Sequence, residues 1–161
     1  QAMVKPDLGF AVYVDYAHTP DALEKVILSA REAASGRVAL VFGCEGDRDR
    51  LKRPEMAQAA LLADDVFLTN DNAHGERVTA VIEEVRAALP TDDARIRTIP
   101  DRKAAIRAAV DHAEPGDIVL ICGRGHEDKM MFGADTVHFD DREEARYALL
   151  MRAVMDGVEM R

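Results

Sequence analysis

No stretch of this 161-residue chain approaches the ~20 consecutive apolar residues that a membrane-spanning helix needs. Its N-terminus has no basic region followed by an apolar stretch, so no secretory signal is expected. Cysteine is scarce. Cys44 and Cys122 make no disulfide framework, and each follows a predicted strand as a reduced packing residue. No cysteine–histidine cluster has zinc spacing, so no metal site is expected. Surplus positive charge is also missing: 21 lysines and arginines face 30 aspartates and glutamates, for a net charge of −9. That balance argues against nucleic acid as the main partner, because phosphate backbones require basic surface. It does not exclude a nucleotide, which needs only a local positive site. Finally, no GxxxxGK[ST] phosphate-cradling loop occurs, so the chain alone is not expected to hydrolyse ATP.

What is present suits one globular domain with a real core, since 48% of residues are hydrophobic and 32% charged. Strands and helices alternate throughout. Strands are predicted at 10–14, 37–42, 65–69, 95–99, 117–121 and 136–139, and helices at 20–34, 53–63, 78–88, 101–112 and 142–156. The second, third and fifth strands are nearly continuous apolar runs, as expected where helices cover both faces of a sheet. The fold class is therefore α/β: a single Rossmann-like open sheet, mostly parallel, with helices on both faces. The short last strand, after a turn at 131–135, is expected to run antiparallel at an edge.

Open α/β sheets bind ligands outside the carboxyl ends of their strands. Four polar loops occupy that edge, at 15–19, 43–53, 69–76 and 123–129, and should converge on one site. In the first, Val14-Asp15-Tyr16-Ala17-His18-Thr19-Pro20 joins a buried strand to an amphipathic helix. Polar side chains beside a helix N-terminus suit a phosphate or ribose, although Asp15 and Thr19 equally suit turn and capping roles. The second loop is charge-dense, with Arg48, Arg50, Lys52 and Arg53 among Glu45, Asp47 and Asp49. Some of these charges can pair to orient others, and an arginine fork suits a carboxylate or phosphate; a plain solvated loop is the alternative. Asp71-Asn72-Ala73-His74 follows the third strand, where an Asx turn is the generic explanation. Gly123-Arg124-Gly125-His126-Glu127 follows the fifth, where two glycines can mark no more than a tight turn. His112 and His138 are read as structural, and the methionines as core filler.

Together these strings resemble the C-terminal domain of the Mur ligases, and within them the MurE type, over nearly the whole chain from Phe10 to the last helix. DYAHTPDAL resembles the opening of that domain, and GCEGDRDRLKRP resembles GCGGDRDxxKRP with Glu45 in place of a glycine. GRGHE resembles GKGHE with Arg124 in place of lysine, and Asp140-Asp141-Arg142-Glu143 resembles a segment that carries no chemistry. The resemblance implies an ATP-dependent amide-forming ligase that adds the third residue of the peptidoglycan stem peptide through an acyl-phosphate. It implies nucleotide contacts at Asp15, Tyr16 and His18. It implies amino-acid contacts at Arg48, Asp71, Asn72, Ala73, His74, Gly123 and Glu127, with Arg48 gripping a carboxylate and Gly123 and Glu127 an amino group. No catalytic group and no metal ligand fall in this domain.

DNAH departs from the DNPR string common in enzymes that add meso-diaminopimelate. His74 stands where an arginine grips the distal carboxylate, and it can still donate one hydrogen bond. Because Arg48 is retained, meso-diaminopimelate is the expected third residue, with affinity weakening as pH rises from about 6 to 8. ATP and Mg2+ are the implied cofactors, held mainly by a central ATPase domain. That domain, the N-terminal UDP-binding domain and the arginine usually found near the position of Gln1 to Pro6 have no counterpart here. The chain is thus expected to be an isolated domain of a cytoplasmic ligase whose partners are the amino acid, ATP, UDP-MurNAc-dipeptide and its own missing domains, with no nucleic acid or membrane. A stand-alone nucleotide or amino-acid binding module, or a ligase domain of a specialised peptide pathway, is the alternative.

Overall fold

The computed structural model describes residues 7–46, 50–72, 77–132 and 134–158. Five strands, β1 (Ala11–Asp15), β2 (Val38–Phe42), β3 (Asp65–Leu68), β4 (Ile96–Thr98) and β5 (Ile118–Cys122), form one sheet. Their order is β1-β5-β2-β3-β4, and every pairing is parallel. Helices α1 (Pro20–Ala33), α2 (Lys52–Ala60), α3 (Val78–Ala87), α4 (Arg102–His112) and α5 (Asp141–Asp156) complete the domain.

Position in the sheet explains each strand's pattern. β2, β3 and β5 are interior and buried at every residue, as their nearly continuous apolar runs lead one to expect. β1 lies at an edge and alternates between half-buried and buried. One face carries α1, α2 and α3, where Leu23, Ile27, Met56 and Val85 pack on Leu40, Phe42 and Leu120. The other carries α4 and α5, where Ile106, Val110 and Leu149 pack on Val41, Val119 and Ile121. Neighbouring residues of a strand therefore feed opposite cores, as the pleat dictates.

The antiparallel strand expected at an edge lies elsewhere. β7 (Asp135–His138) pairs with β6 (Lys129–Phe132), a strand absent from the sequence-based expectation. They form a separate two-stranded hairpin. β7 is exposed at every residue, and the hairpin is held by contacts from the site loops rather than by sheet pairing. His138 at its end meets Glu143 at 2.8 Å on the surface, which fits a structural role.

Candidate functional site

β1 feeds its helix through a turn that the local sequence specifies. The Asp15 carboxylate accepts the Ala17 N–H at 2.8 Å. Thr19 caps α1 by accepting the Ala22 N–H, and Pro20 occupies the first turn, where a missing N–H costs nothing. Turn and cap roles thus account for these two side chains. Tyr16 and His18 are left facing outward, their rings 4.6 Å apart edge to face. His126, from the loop after β5, approaches Tyr16 at 6.2 Å.

The β2 loop is pressed against the β3 loop. A side chain at Gly43 would collide with the Thr69 carbonyl, so only glycine permits the approach. The Gly46 N–H donates to the Asn72 carbonyl at 2.6 Å and continues the seam. Arg50 and Arg53 of this loop are oriented by a carboxylate outside it, Glu84 on α3. Arg53, only 2% exposed, donates to Glu84 at 2.7 Å and to the Glu45 carbonyl at 3.0 Å. Arg50 meets the same Glu84 with two hydrogen bonds of 3.1 Å. Lys52, at the start of α2, is exposed at the cleft wall. Arg48 lies outside the described residues, as do Ala73 and His74.

A cleft of 330 Å³ opens over the carboxyl ends of β1, β2 and β3, lined by Tyr16, His18, Thr19, Cys44, Lys52 and Asp71 among others. Asp71 is 2% exposed. Its Oδ1 accepts the N–H of the very next residue, Asn72, at 2.7 Å, one residue short of the bond that an Asx turn makes. Gly123, at φ 114°, lies so close that a Cβ there would stand 2.8 Å from Asp71 Oδ2. The loops after β3 and β5 therefore meet at Asp71 and Gly123. Asn72 turns away from the cleft: its Oδ1 accepts the Met131 N–H at 2.9 Å and ties the β3 end to the hairpin. Glu127 is half-buried, and its Oε1 is buried with no hydrogen-bond partner among the described residues. An acceptor in that state is expected to find its donor in a ligand or water.

Beneath the loops lies a group of charges that sequence reasoning missed. Arg102 and Asp141 are 1% and 0% exposed at their side chains and form a two-pronged ion pair at 2.8 and 2.7 Å. Arg124, also fully buried, stands 3.7 Å from the same carboxylate. Arg102 and Asp141 lie 39 residues apart, and the acids at 140–141 predict only a helix start. Asp140 does perform that task by accepting the Arg142 N–H, which leaves Asp141 free for the interior.

Burial pushes the Asp71 carboxyl up from 3.8 to about 6; Glu45 adds to the rise, while Arg102, the Asn72 N–H and Arg124 oppose it. Such a group binds its proton more tightly when folded. Its stabilising contribution is present below the ordinary carboxylate range and is lost as pH rises through about 6. The stability of the wild type relative to Asp71→Asn is therefore expected to fall by on the order of 3 kcal/mol between about pH 4 and about pH 7. Urea denaturation of both proteins at the two ends checks this, and a difference that stays flat contradicts it. Burial likewise pushes the Cys44 thiol to about 12 and the Cys122 thiol higher still, so both behave as packing groups rather than nucleophiles.

The family model described as "Mur ligase, glutamate ligase domain" matches residues 2–125. The chain is 48% identical over 153 residues to UDP-N-acetylmuramoyl-L-alanyl-D-glutamate–2,6-diaminopimelate ligase of Trichormus variabilis, covering 94% of this chain and 31% of that protein. It is 46% identical over 145 residues to the protein of the same name from Geobacillus thermodenitrificans, covering 89% and 30%. A solved structure of a ligase of that name superimposes with a TM-score of 0.88 at 39% identity, over 94% of this chain and 31% of the other. The chain therefore spans about a third of the length of the relatives it matches.

Proposed function

The chain belongs to the Mur ligase family through its glutamate ligase domain, and on that premise we propose that it is the C-terminal domain of a ligase adding meso-diaminopimelate to UDP-MurNAc-dipeptide in peptidoglycan synthesis. The observation that carries the site reading is the buried, unpartnered Oε1 of Glu127, on a loop whose Gly123 meets Asp71. A carboxylate acceptor without a donor suits the ammonium of an amino acid. Arg48 and His74 are the matching groups for its carboxylate, assigned from their places in the sequence.

Tyr16 and His18 present exposed rings at the cleft mouth, and Lys52 adds a cation on its wall, which suits a nucleotide. ATP, when bound, supplies the phosphoryl group that activates the dipeptide carboxylate. Mg2+, like ATP, is assigned by the resemblance mainly to the central ATPase domain of such a ligase. This domain's own work is to bind and orient the incoming amino acid so that its free amine meets the activated carboxylate, a contribution of positioning rather than covalent chemistry. Closure onto the remainder of the ligase completes the site and excludes water. Among the described residues no helix is long and apolar enough to cross a membrane; the cytoplasmic assignment rests on the ligase reading alone.

Phosphate release tests the proposal. The full-length ligase carrying this domain is expected to release phosphate from MgATP only when UDP-MurNAc-dipeptide and diaminopimelate are both supplied. The 161-residue chain alone is expected to match a no-protein control. Turnover by the chain alone, or none by the full-length protein, overturns it.

A further inference from the structure

The loop that carries Glu127 is held from below by a side chain to which the proposed function gives no task. Arg124 is 0% exposed. Its guanidinium donates to the Lys129 carbonyl at 3.2 Å, to the Glu127 carbonyl at 3.4 Å, and to the Phe139 carbonyl. It also lies 5.4 Å from the centre of the Phe139 ring. These three acceptors sit on the site loop, at the first residue of β6 and just beyond β7. One fork thus fastens both ends of the hairpin to the loop. The Glu127 N–H returns the contact by donating to the Arg124 carbonyl at 2.9 Å.

The anchor extends further. Asp141, 3.7 Å from Arg124 Nε, is gripped by Arg102. Arg102 in turn donates to the Asn70 carbonyl at 2.9 Å and the Cys122 carbonyl at 3.1 Å, which are the ends of β3 and β5. The hairpin also reaches back to β3, because the Met131 N–H donates to Asn72. Every segment placed in the amino-acid site that the structure describes on β3 and β5 is therefore tied to the Arg124–Asp141–Arg102 group. Among the described residues Glu127 Oε1 has no hydrogen-bond partner, so the position of that carboxylate follows its backbone, and Arg124 holds that backbone.

We propose that Arg124 is a positioning residue for amino-acid recognition: it sets where the loop holds the Glu127 carboxylate, without touching substrate itself. This rests on the reading of the amino-acid site given above. A planar fork with five donors can serve several carbonyls in fixed directions. A lysine ammonium, the residue in the resembling GKGHE string, is a single point on a flexible stem and cannot span them in the same way.

The test uses the full-length ligase with Arg124→Lys, which keeps the charge opposite Asp141, and Arg124→Met, which keeps only the stem. Steady-state KM is measured separately for diaminopimelate and for ATP, with thermal unfolding of each variant alongside. Amino-acid KM is expected to rise on the order of tenfold in Arg124→Lys and about a hundredfold in Arg124→Met, as charged hydrogen bonds are lost stepwise. ATP KM is expected to rise much less than amino-acid KM, since the Tyr16–His18 turn meets this loop through Gly125 and His126 rather than through Arg124. If Arg124→Met does not fold, Arg124→Lys decides. An unchanged amino-acid KM in Arg124→Lys, or an ATP KM that rises in parallel, overturns the proposal while wild-type ligation still stands. A wild type that does not ligate at all overturns the reading of the site and this proposal with it.

Discussion

Replacing Asp141 with alanine is expected to cost this domain about 3–5 kcal/mol, because the change leaves buried guanidinium groups without their shared carboxylate. Arg102 is the main partner, at 2.8 and 2.7 Å, and Arg124 stands at 3.7 Å. All three side chains are 1% exposed or less, so water cannot replace the lost partner without local opening. Against a typical domain stability of about 5–15 kcal/mol, that loss is a large share of the total. The pair itself need not be worth so much. Two buried charges that leave together leave no orphan, so Arg102→Met combined with Asp141→Leu is expected to cost far less than Asp141→Ala alone. Urea denaturation of the three variants reads the comparison directly. A loss below about 1 kcal/mol for Asp141→Ala contradicts a buried ion pair beneath the site.

Glu127→Gln in the full-length ligase is expected to lower kcat/KM for the amino acid by roughly 10–150-fold, the value of about 1.5–3 kcal/mol for a charged hydrogen bond. The reason lies in the Oε1 of Glu127, buried and without a partner until a donor arrives. An amide keeps the size and one acceptor, so the fold should survive, but it loses the charge that an ammonium seeks. Arg48→Ala is expected to fall in the same range through the other end of the substrate, its place resting on the GDRD match. ATP KM should move little in either variant. Retention of wild-type kcat/KM in both rejects a clamp that grips a zwitterion by its two charges.

The parts of this fold legible from sequence were those with local causes. β2, β3 and β5 could be recognised because strands buried on both faces are nearly continuous apolar runs, and the structure buries every residue of all three, Asp65 at the start of β3 included through its ion pair with Arg37. α1 was legible from Thr19 and Pro20, which cap and start it through their own backbone geometry. The site edge followed from topology, since parallel strands place all their carboxyl-end loops together. What escaped was non-local. β6 is four residues long and is fixed by Arg124 and Asn72 rather than by any periodicity of its own. The Arg102–Asp141 pair joins the starts of two helices that the sequence separates by 39 residues. Asn72 shows the same limit: its type and place were anticipated, but its side chain serves the hairpin as well as any ligand.

The central claim is that these loops recognise an amino acid with a second charged end. Its most direct test is a comparison of kcat/KM for meso-diaminopimelate and lysine with the full-length ligase, MgATP and UDP-MurNAc-dipeptide. Lysine has the distal amine but no distal carboxylate, so it can satisfy Glu127 while leaving Arg48 and His74, the groups matched to that carboxylate, without it. The account predicts that meso-diaminopimelate is preferred by at least about tenfold, the value of one charged hydrogen bond. Equal use of the two, or a preference for lysine, would contradict it.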